Sequence, residues 1–301
     1  MPLSRMTHPS NSKPSPAVRP GRRSKLFVPG NRPLLMAKAL AGPADSLSLD
    51  LEDAVPPAQK EQARAEVRAF LAACPERLKE VGVRVNSLGS GLLVADLLAI
   101  GAAAPDLVNV PKVEDPRDLQ VADEVLRHVE TSSGLPLGTI KLVPTLESPA
   151  GLRKAWEIAR ASTRVVALQF GMGDLKATTG MHTGVEHLRP VRVMLLLAAA
   201  ELGLDAMDSA YADIEDLAGF EADAFEARRL GFRGKSCIHP TQVDVCNRVF
   251  SPTPEEVADA RELLMAFEQA SSQGAGAIRF RGRLVDEAHA AQARRLLGVG
   301  R

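Results

Sequence analysis

The sequence predicts a (β/α)8 barrel that carries a helical arm or lid at its C-terminal end. Three observations predict it. Eight short apolar runs, many of them β-branched, recur along the chain. The segments between them carry helical periodicity and helix-start signals. The alternation occupies about 220 residues, the span that eight βα units need.

The runs are KLFVP (25–29), SLSLDLE (46–52), GVRVN (82–86), LVNVPK (107–112), IKLVPTLE (140–147), VVALQFG (165–171), AMDSAY (206–211) and GKSCIHP (234–240). Near-continuous apolarity marks strands buried on both faces. A doubly wound open sheet is the alternative, but no G-x-G-x-x-G follows the first run. Between the runs, residues 58–73 place Ala63, Val67, Phe70 and Leu71 on one helical face. Residues 117–130 do the same with Leu119, Ala122, Val125, Leu126 and Val129. Ser148-Pro149 reads as a cap followed by a first-turn proline, and Thr253-Pro254-Glu255-Glu256 as a capping box with proline at N1. Beyond SSQGAGA (271–277), IRFRGRLV (278–285) reads as a small hairpin or extended arm, and residues 286–297 as a helix. The predicted organisation is a disordered tail (1–21), a barrel (22–270) and a C-terminal arm (271–301) that covers the mouth or reaches a neighbouring subunit.

Composition narrows the function. Of 301 residues, 45% are apolar and 25% charged, which is globular composition. Lys+Arg and Asp+Glu both number 37, so the net charge is zero, against a general nucleic-acid binder. No apolar run approaches the roughly 20 residues of a membrane span. Cys74, Cys237 and Cys246 form no C-x-x-C pair and read as reduced thiols of a cytoplasmic protein. The tail, rich in Pro and Ser, lacks the apolar stretch of a secretory signal.

Barrel active sites sit at the carboxyl ends of the strands. The polar residues there are Asp50, Glu52 and Asp53; Arg84 and Asn86; Lys112 and Glu114; Glu147; Asp174; and His239. Glu147 and Asp174 are one strand-helix-strand unit apart, and adjacent strands lie about 4.8 Å apart, so both carboxylates can converge on one cation. Two carboxylates without a Cys or His cluster suit Mg²⁺; two helix-capping acids are the alternative. Arg84, inside an apolar run, needs a carboxylate: Asp50, Glu52 or a bound acid. Gly171-Met172-Gly173 reads as a tight turn or a close approach to a substrate carboxylate. Arg22, Arg23, Lys25 and Arg32 read as phosphate partners or as a solvated basic stretch. His239 reads as structural, His182 and His187 as surface, Trp156 and Phe170 as core, and Cys237 as an inert buried thiol.

RRSKLFVPGNRP (22–33), DLEDAVPP (50–57), VRVNS (83–87), VPKVE (110–114), PTLESPAGL (144–152), FGMGDL (170–175), SAYADIEDLAGFEADA (209–224) and KSCIHPTQV (235–243) occur in this order. Together they resemble the citrate lyase beta-subunit/malyl-CoA lyase family of metal-dependent C–C lyases, from about Arg22 to the C-terminus. The resemblance implies a TIM barrel acting on a CoA or acyl-carrier thioester of a hydroxy acid, with a 2-oxo acid as the other product. It implies Glu147 and Asp174 as Mg²⁺ ligands, Arg84 over the substrate oxygens, and Gly173 and Asp174 beside the substrate. Arg23, Lys25 and Arg32 are then phosphate partners of CoA, and Asp286, after GRLV, enters a neighbour's site. Arg84, Asp286 and Glu52 are the catalytic candidates. A malyl-CoA thioesterase and the beta subunit of a citrate lyase complex are the competing readings, and a homotrimer or hexamer is the expected assembly.

Overall fold

A computed structural model describes residues 21–74, 77–182 and 185–299. The predicted tail therefore lies, Gly21 apart, outside the described residues. Eight parallel strands close into a barrel in sequence order: β1 (Ser24–Pro29), β2 (Ser46–Asp50), β3 (Glu80–Arg84), β4 (Leu107–Val110), β5 (Lys141–Leu146), β6 (Ala167–Phe170), β7 (Asp205–Asp208) and β8 (Gly234–Cys237). Pairing of Leu26 with Cys237 helps join β1 to β8. Each predicted run contributes one strand. No helix among the described residues is long and apolar enough to cross a membrane.

The helices follow their predicted signals. The first is α1 (Pro33–Ala41); α2 (Lys60–Ala73) buries Ala63, Val67 and Leu71. After α3 (Leu93–Ile100), α4 (Pro116–Ser132) starts at a capping box made by Asp115 and Asp118. The unit between β5 and β6 holds two short helices, α5 (Pro149–Arg153) and α6 (Ala155–Ala159), and Ser148 caps the first through Gly151 N–H. Then come α7 (Met172–Thr179), α8 (Val185–Glu201), α9 (Leu217–Leu230) and α10 (Pro240–Val249), the last capped by His239.

The strands are less uniformly apolar than the runs predict. In β2, Leu47 and Leu49 join the core shared with the helices, while Ser46 and Asp50 bond to Glu80 and Arg84 of β3 and Ser48 to Asn109 of β4. Low in the interior, Leu107, Val143, Ala167 and Met207 form an apolar plug. Above it the lumen is polar, and most of these groups bond one another, as burial of polar groups requires.

At the C-terminus, α11 (Pro254–Ser272) begins at the predicted Thr253–Glu256 capping box. A hairpin follows, β9 (Ala277–Phe280) and β10 (Arg283–Asp286), then α12 (Glu287–Leu297). Arg281 and Gly282 turn the hairpin with φ of 46° and 80°, the left-handed pair of a type I′ turn. Ala260, Leu264 and Phe267 of α11 pack on Val285, Ala290 and Ala293, a small core separate from the barrel's.

Candidate active site at the barrel mouth

The register of β2 and β3 sets Arg84 opposite Asp50. Arg84 Nε and NH2 donate to Asp50 Oδ1 and Oδ2 at 2.7 and 2.6 Å, a bidentate pair. Asp50 also accepts from the N–H groups of Glu52 and Ala54, so it is a fixed anchor. Arg84 NH1 lies 3.0 Å from Glu52 Oε2 and 3.2 Å from Asp53 Oδ2, and the Phe27 ring lies 5.0 Å from the guanidinium. Burial works against the guanidinium's charge, but the bonds to Asp50 and the fields of Glu52 and Asp53 outweigh it, and its pKa is raised.

Lys112 follows β4 with φ 52°, a left-handed backbone that a lysine rarely adopts. That conformation accompanies a bond from its N–H to Glu147 Oε1 at 2.6 Å. Its ammonium lies 2.8 Å from Glu52, 3.6 Å from Asp53 and 4.0 Å from Asp174. Glu52 is buried between the two cations, and burial pushes its pKa up despite them. Although Glu52 Oε2 is close to Arg84, it is not aligned for a hydrogen bond.

Glu147, beyond the end of β5, is 6% exposed. Burial, with the nearby carboxylates of Glu52 and Asp174, pushes it up to about 8. Asp174 stands in the first turn of α7 and is half-exposed. Asp50, Asp53, Arg84, Glu147 and Asp174 line a cavity of about 480 Å³ with Phe27, Gly173 and Ile238. A cavity of about 560 Å³ lies elsewhere, against α11, the hairpin and α12. The acid cluster marks the mouth as the chemical site.

The donor set fits a hard cation. Five carboxylates (Asp50, Glu52, Asp53, Glu147, Asp174) gather about Arg84, Lys112 and Lys60, an excess of two negative charges when all are ionised. A divalent cation relieves that excess and returns Glu147 to its charged form. Among the described residues no three His, Cys, Asp or Glu side chains make a ready-built cage. Mg²⁺ needs none, because it takes one or two carboxylates and fills its octahedron with water or substrate oxygens.

Of the residues singled out from the sequence, the mouth brings together Arg84, Glu52, Glu147, Gly173 and Asp174. Arg32 stands on the same end, exposed in the β1–α1 turn. Arg23 is a correction: it precedes β1, at the opposite end of the barrel, clamped to both Asp45 oxygens at 2.8 Å and to Ser251 at 2.7 Å. Lys25 is another: it is 2% exposed inside the barrel, bonded to Gln169, and reaches no phosphate at the mouth. Asp286 caps α12 through Ala288 N–H and contacts His289; it does not line the mouth cavity of its own chain. Gly171 is the tighter of the two glycines, since a Cβ there would meet Glu147 at 2.5 Å, whereas one at Gly173 meets nothing within 4 Å. Sequence reasoning left Lys112 without a role. Its signal was a lysine closing a buried run, which needs an acid as Arg84 does.

Fold and site together define a (β/α)8 barrel whose mouth is built to seat a hard cation beside an arginine. The comparisons agree. The family model described as HpcH/HpaI aldolase/citrate lyase matches residues 23–240, and the chain belongs to that family. Over 268 residues it is 37% identical to the citrate lyase subunit beta of Escherichia coli K12, covering 88% of each chain. It is 35% identical over 293 residues to the L-malyl-CoA/beta-methylmalyl-CoA lyase of Rhodobacter capsulatus, covering 90% of this chain and 92% of that one. The crystal structure of CitE from Mycobacterium tuberculosis, in complex with magnesium, acetoacetate and coenzyme A, superposes with a TM-score of 0.75 at 33% identity. That match covers 93% of this chain and 98% of CitE.

Proposed function

We propose that the protein is a Mg²⁺-dependent carbon–carbon lyase. It cleaves, or in reverse forms, a β-hydroxyacyl-CoA thioester of the malyl, citramalyl or citryl type, giving acetyl-CoA or propionyl-CoA and a 2-oxo acid. One observation carries the reading: Glu147 and Asp174 share the mouth cavity with an arginine held rigidly by Asp50. The named activities of its relatives support it.

Glu147 and Asp174 would hold the Mg²⁺, which when bound would supply Lewis-acid polarisation to the substrate oxygens. The protein's own groups do the rest. Cleavage passes the hydroxyl proton to the ionised Asp286 carboxylate, which later returns it to the acyl carbon, and the C–C electron pair passes into the thioester, which becomes an enolate. The enolate then takes a proton at carbon and leaves as the acyl-CoA. Arg84, oriented before substrate arrives, stabilises developing oxyanion charge without reorganising. Glu52 bridges Arg84 and Lys112 and helps hold Arg84 at the cavity wall. Asp286, which does not line the mouth cavity of its own chain, exchanges the proton at the acyl carbon in the site of a neighbouring subunit. The active unit is then a homotrimer or hexamer, working in the cytoplasm, with Arg32 positioned for a CoA phosphate.

The test is product analysis with purified protein, Mg²⁺ and malyl-, methylmalyl-, citramalyl- and citryl-CoA. A 2-oxo acid together with an intact, smaller acyl-CoA is the expected result. A free hydroxy-diacid with stoichiometric CoA thiol overturns it in favour of a thioesterase.

A further inference from the structure

Beneath the carboxylates and Arg84, the barrel lumen carries polar side chains that the chemistry above leaves unused. Residues two apart on a strand share a face, about 6–7 Å apart along it. Thr145 therefore lies one layer below Glu147, and Gln169 one layer below Gly171. The two are Cα partners across β5 and β6. Both are 5% exposed and line the mouth cavity with Phe27.

Their polar ends are not matched to one another. Thr145 Oγ1 is buried with no hydrogen-bond partner among the described residues. Gln169 Oε1 accepts from Lys25 Nζ and, at 3.3 Å, from Asn109 Nδ2. Two donors, Lys25 Nζ and Asn109 Nδ2, meet that oxygen, and together they turn the NH₂ end of the amide inward. The Gln169 NH₂ is left as the free end, with no protein acceptor among the described residues. Lys25 makes no ion pair among the described residues. Burial pushes its amine down to about 7, against the field of Glu80 and with the same-sign fields of Arg22 and Arg84. A donor amide and an unpartnered hydroxyl thus form a floor with the Lys25 amine behind it.

We propose that Gln169 and Thr145 form a specificity subsite for an oxygen-bearing substituent, hydroxyl or carboxylate, on the carbon next to the carbonyl of the 2-oxo acid, and that Lys25 is the positioning residue that turns the Gln169 amide toward it. The proposal rests on the reading that the mouth takes a 2-oxo acid. With the acid's carbonyl end held in the upper layer, two or three bonds and a hydrogen bond of about 2.9 Å span the distance to the lower one. Hydrogen or methyl at that carbon leaves the amide and hydroxyl unpaired in a water-poor floor, the arrangement by which polar sites reject analogues.

The test runs the reaction toward condensation, with acetyl-CoA, Mg²⁺ and glyoxylate, pyruvate, 3-hydroxypyruvate or oxaloacetate. The wild-type protein is expected to prefer 3-hydroxypyruvate or oxaloacetate to pyruvate, and which of the two leads assigns the hydroxyl or the carboxylate. In Gln169→Leu and Lys25→Met the ratio of kcat/KM for the preferred acid over pyruvate falls about tenfold or more, chiefly through KM. Lys25→Met/Gln169→Leu removes both buried partners together and reads the same ratio if a single variant folds poorly. Calorimetric binding of the acids to the Mg²⁺-loaded protein without acetyl-CoA should follow the same order. A wild-type preference for pyruvate, or an equal loss on all four acids in the variants, overturns the subsite while leaving the lyase reading intact. No condensation of any acid by wild-type protein overturns both.

Discussion

Replacing Gly171 with alanine adds one methyl group and no backbone strain, since φ −115° and ψ 106° suit any residue. The methyl carbon would fall 2.5 Å from both Cβ and Oε2 of Glu147, and 3.0 Å from Cγ2 of Thr145. Carbon contacts settle at about 3.5–4.0 Å, so the Glu147 side chain must retreat by about 1 Å. It has little room, being buried and tied to Lys112 N–H at 2.6 Å. Overpacking of this kind costs about 1–3 kcal/mol, or a Tm lowered by a few degrees in a domain of this size. A catalytic group displaced by about 1 Å costs about 10²-fold in rate. Gly171→Ala should therefore fold, bind Mg²⁺ about tenfold more weakly by calorimetry, and turn over about 10²-fold more slowly. The same methyl at Gly173 meets open space, and the steric argument predicts a far smaller effect there. Wild-type Mg²⁺ affinity and turnover in a folded Gly171→Ala protein would refute the placement of Glu147 at the cation.

Glu147→Gln and Asp174→Asn each remove an anionic ligand while keeping shape, and each should lose most Mg²⁺-dependent activity; near wild-type turnover at limiting Mg²⁺ rejects that residue as ligand. Arg84→Lys keeps the charge but loses the planar fork that grips Asp50, and should cost about 10²-fold or more in kcat; ordinary kinetics with reduced thermal stability would make Arg84 purely structural. Asparagine caps helices as well as aspartate, so Asp286→Asn should stay folded and oligomeric yet be nearly inactive, with activity partly rescued by subunit exchange with Arg84→Ala. Burial raises the Glu130 carboxyl, but its bonds to Arg164 and to the Ile140 and Gly138 N–H groups prevail and its pKa is lowered. Its stabilisation is thus complete above its unfolded value near 4.3 and fades as pH falls through the lower folded one. Denaturant unfolding of Glu130→Gln should show about 3 kcal/mol lost at pH 7 and a gap that narrows below about pH 4; a pH-independent gap argues against the ion pair.

What could be read from the sequence follows from where each residue stands on its strand. Glu147 and Arg84 are polar groups near the ends of apolar runs, and in a closed parallel barrel those ends converge whatever the side-chain detail. Asp174 adds a fixed short distance past β6. Lys25 and Arg23 are also polar and also flank an apolar run, but at its beginning. Linear order alone does not separate a basic pair at the mouth from one at the foot until strand direction is imposed; imposing it sends Arg23 to Asp45 and Lys25 into the lumen. Lys112 depended on a left-handed backbone that neither hydrophobic period nor propensity encodes. The polar lumen was hidden in the same way, because Ser46, Ser48 and Gln169 sit within runs whose outward residues are apolar enough to make the whole segment read as core.

Arg84 was open to two readings, an internal salt bridge or a substrate contact, and its partners divide by exposure in a way that accommodates both. The Asp50 side chain is 2% exposed and accepts two backbone N–H bonds besides the guanidinium's two. Releasing it would leave a buried carboxylate uncompensated, at a cost of about 3–5 kcal/mol. The Asp53 side chain is 58% exposed and meets only the NH1 edge, a contact in the range of about 0–1 kcal/mol. On the proposed reading, a substrate oxygen arriving at Arg84 would displace Asp53 and leave Asp50 in place. The buried pair sets the angle of the guanidinium, and the exposed one keeps its outer edge satisfied until substrate takes over. On this argument Asp53→Asn should alter KM slightly, while Asp50→Asn should strike folding and turnover together.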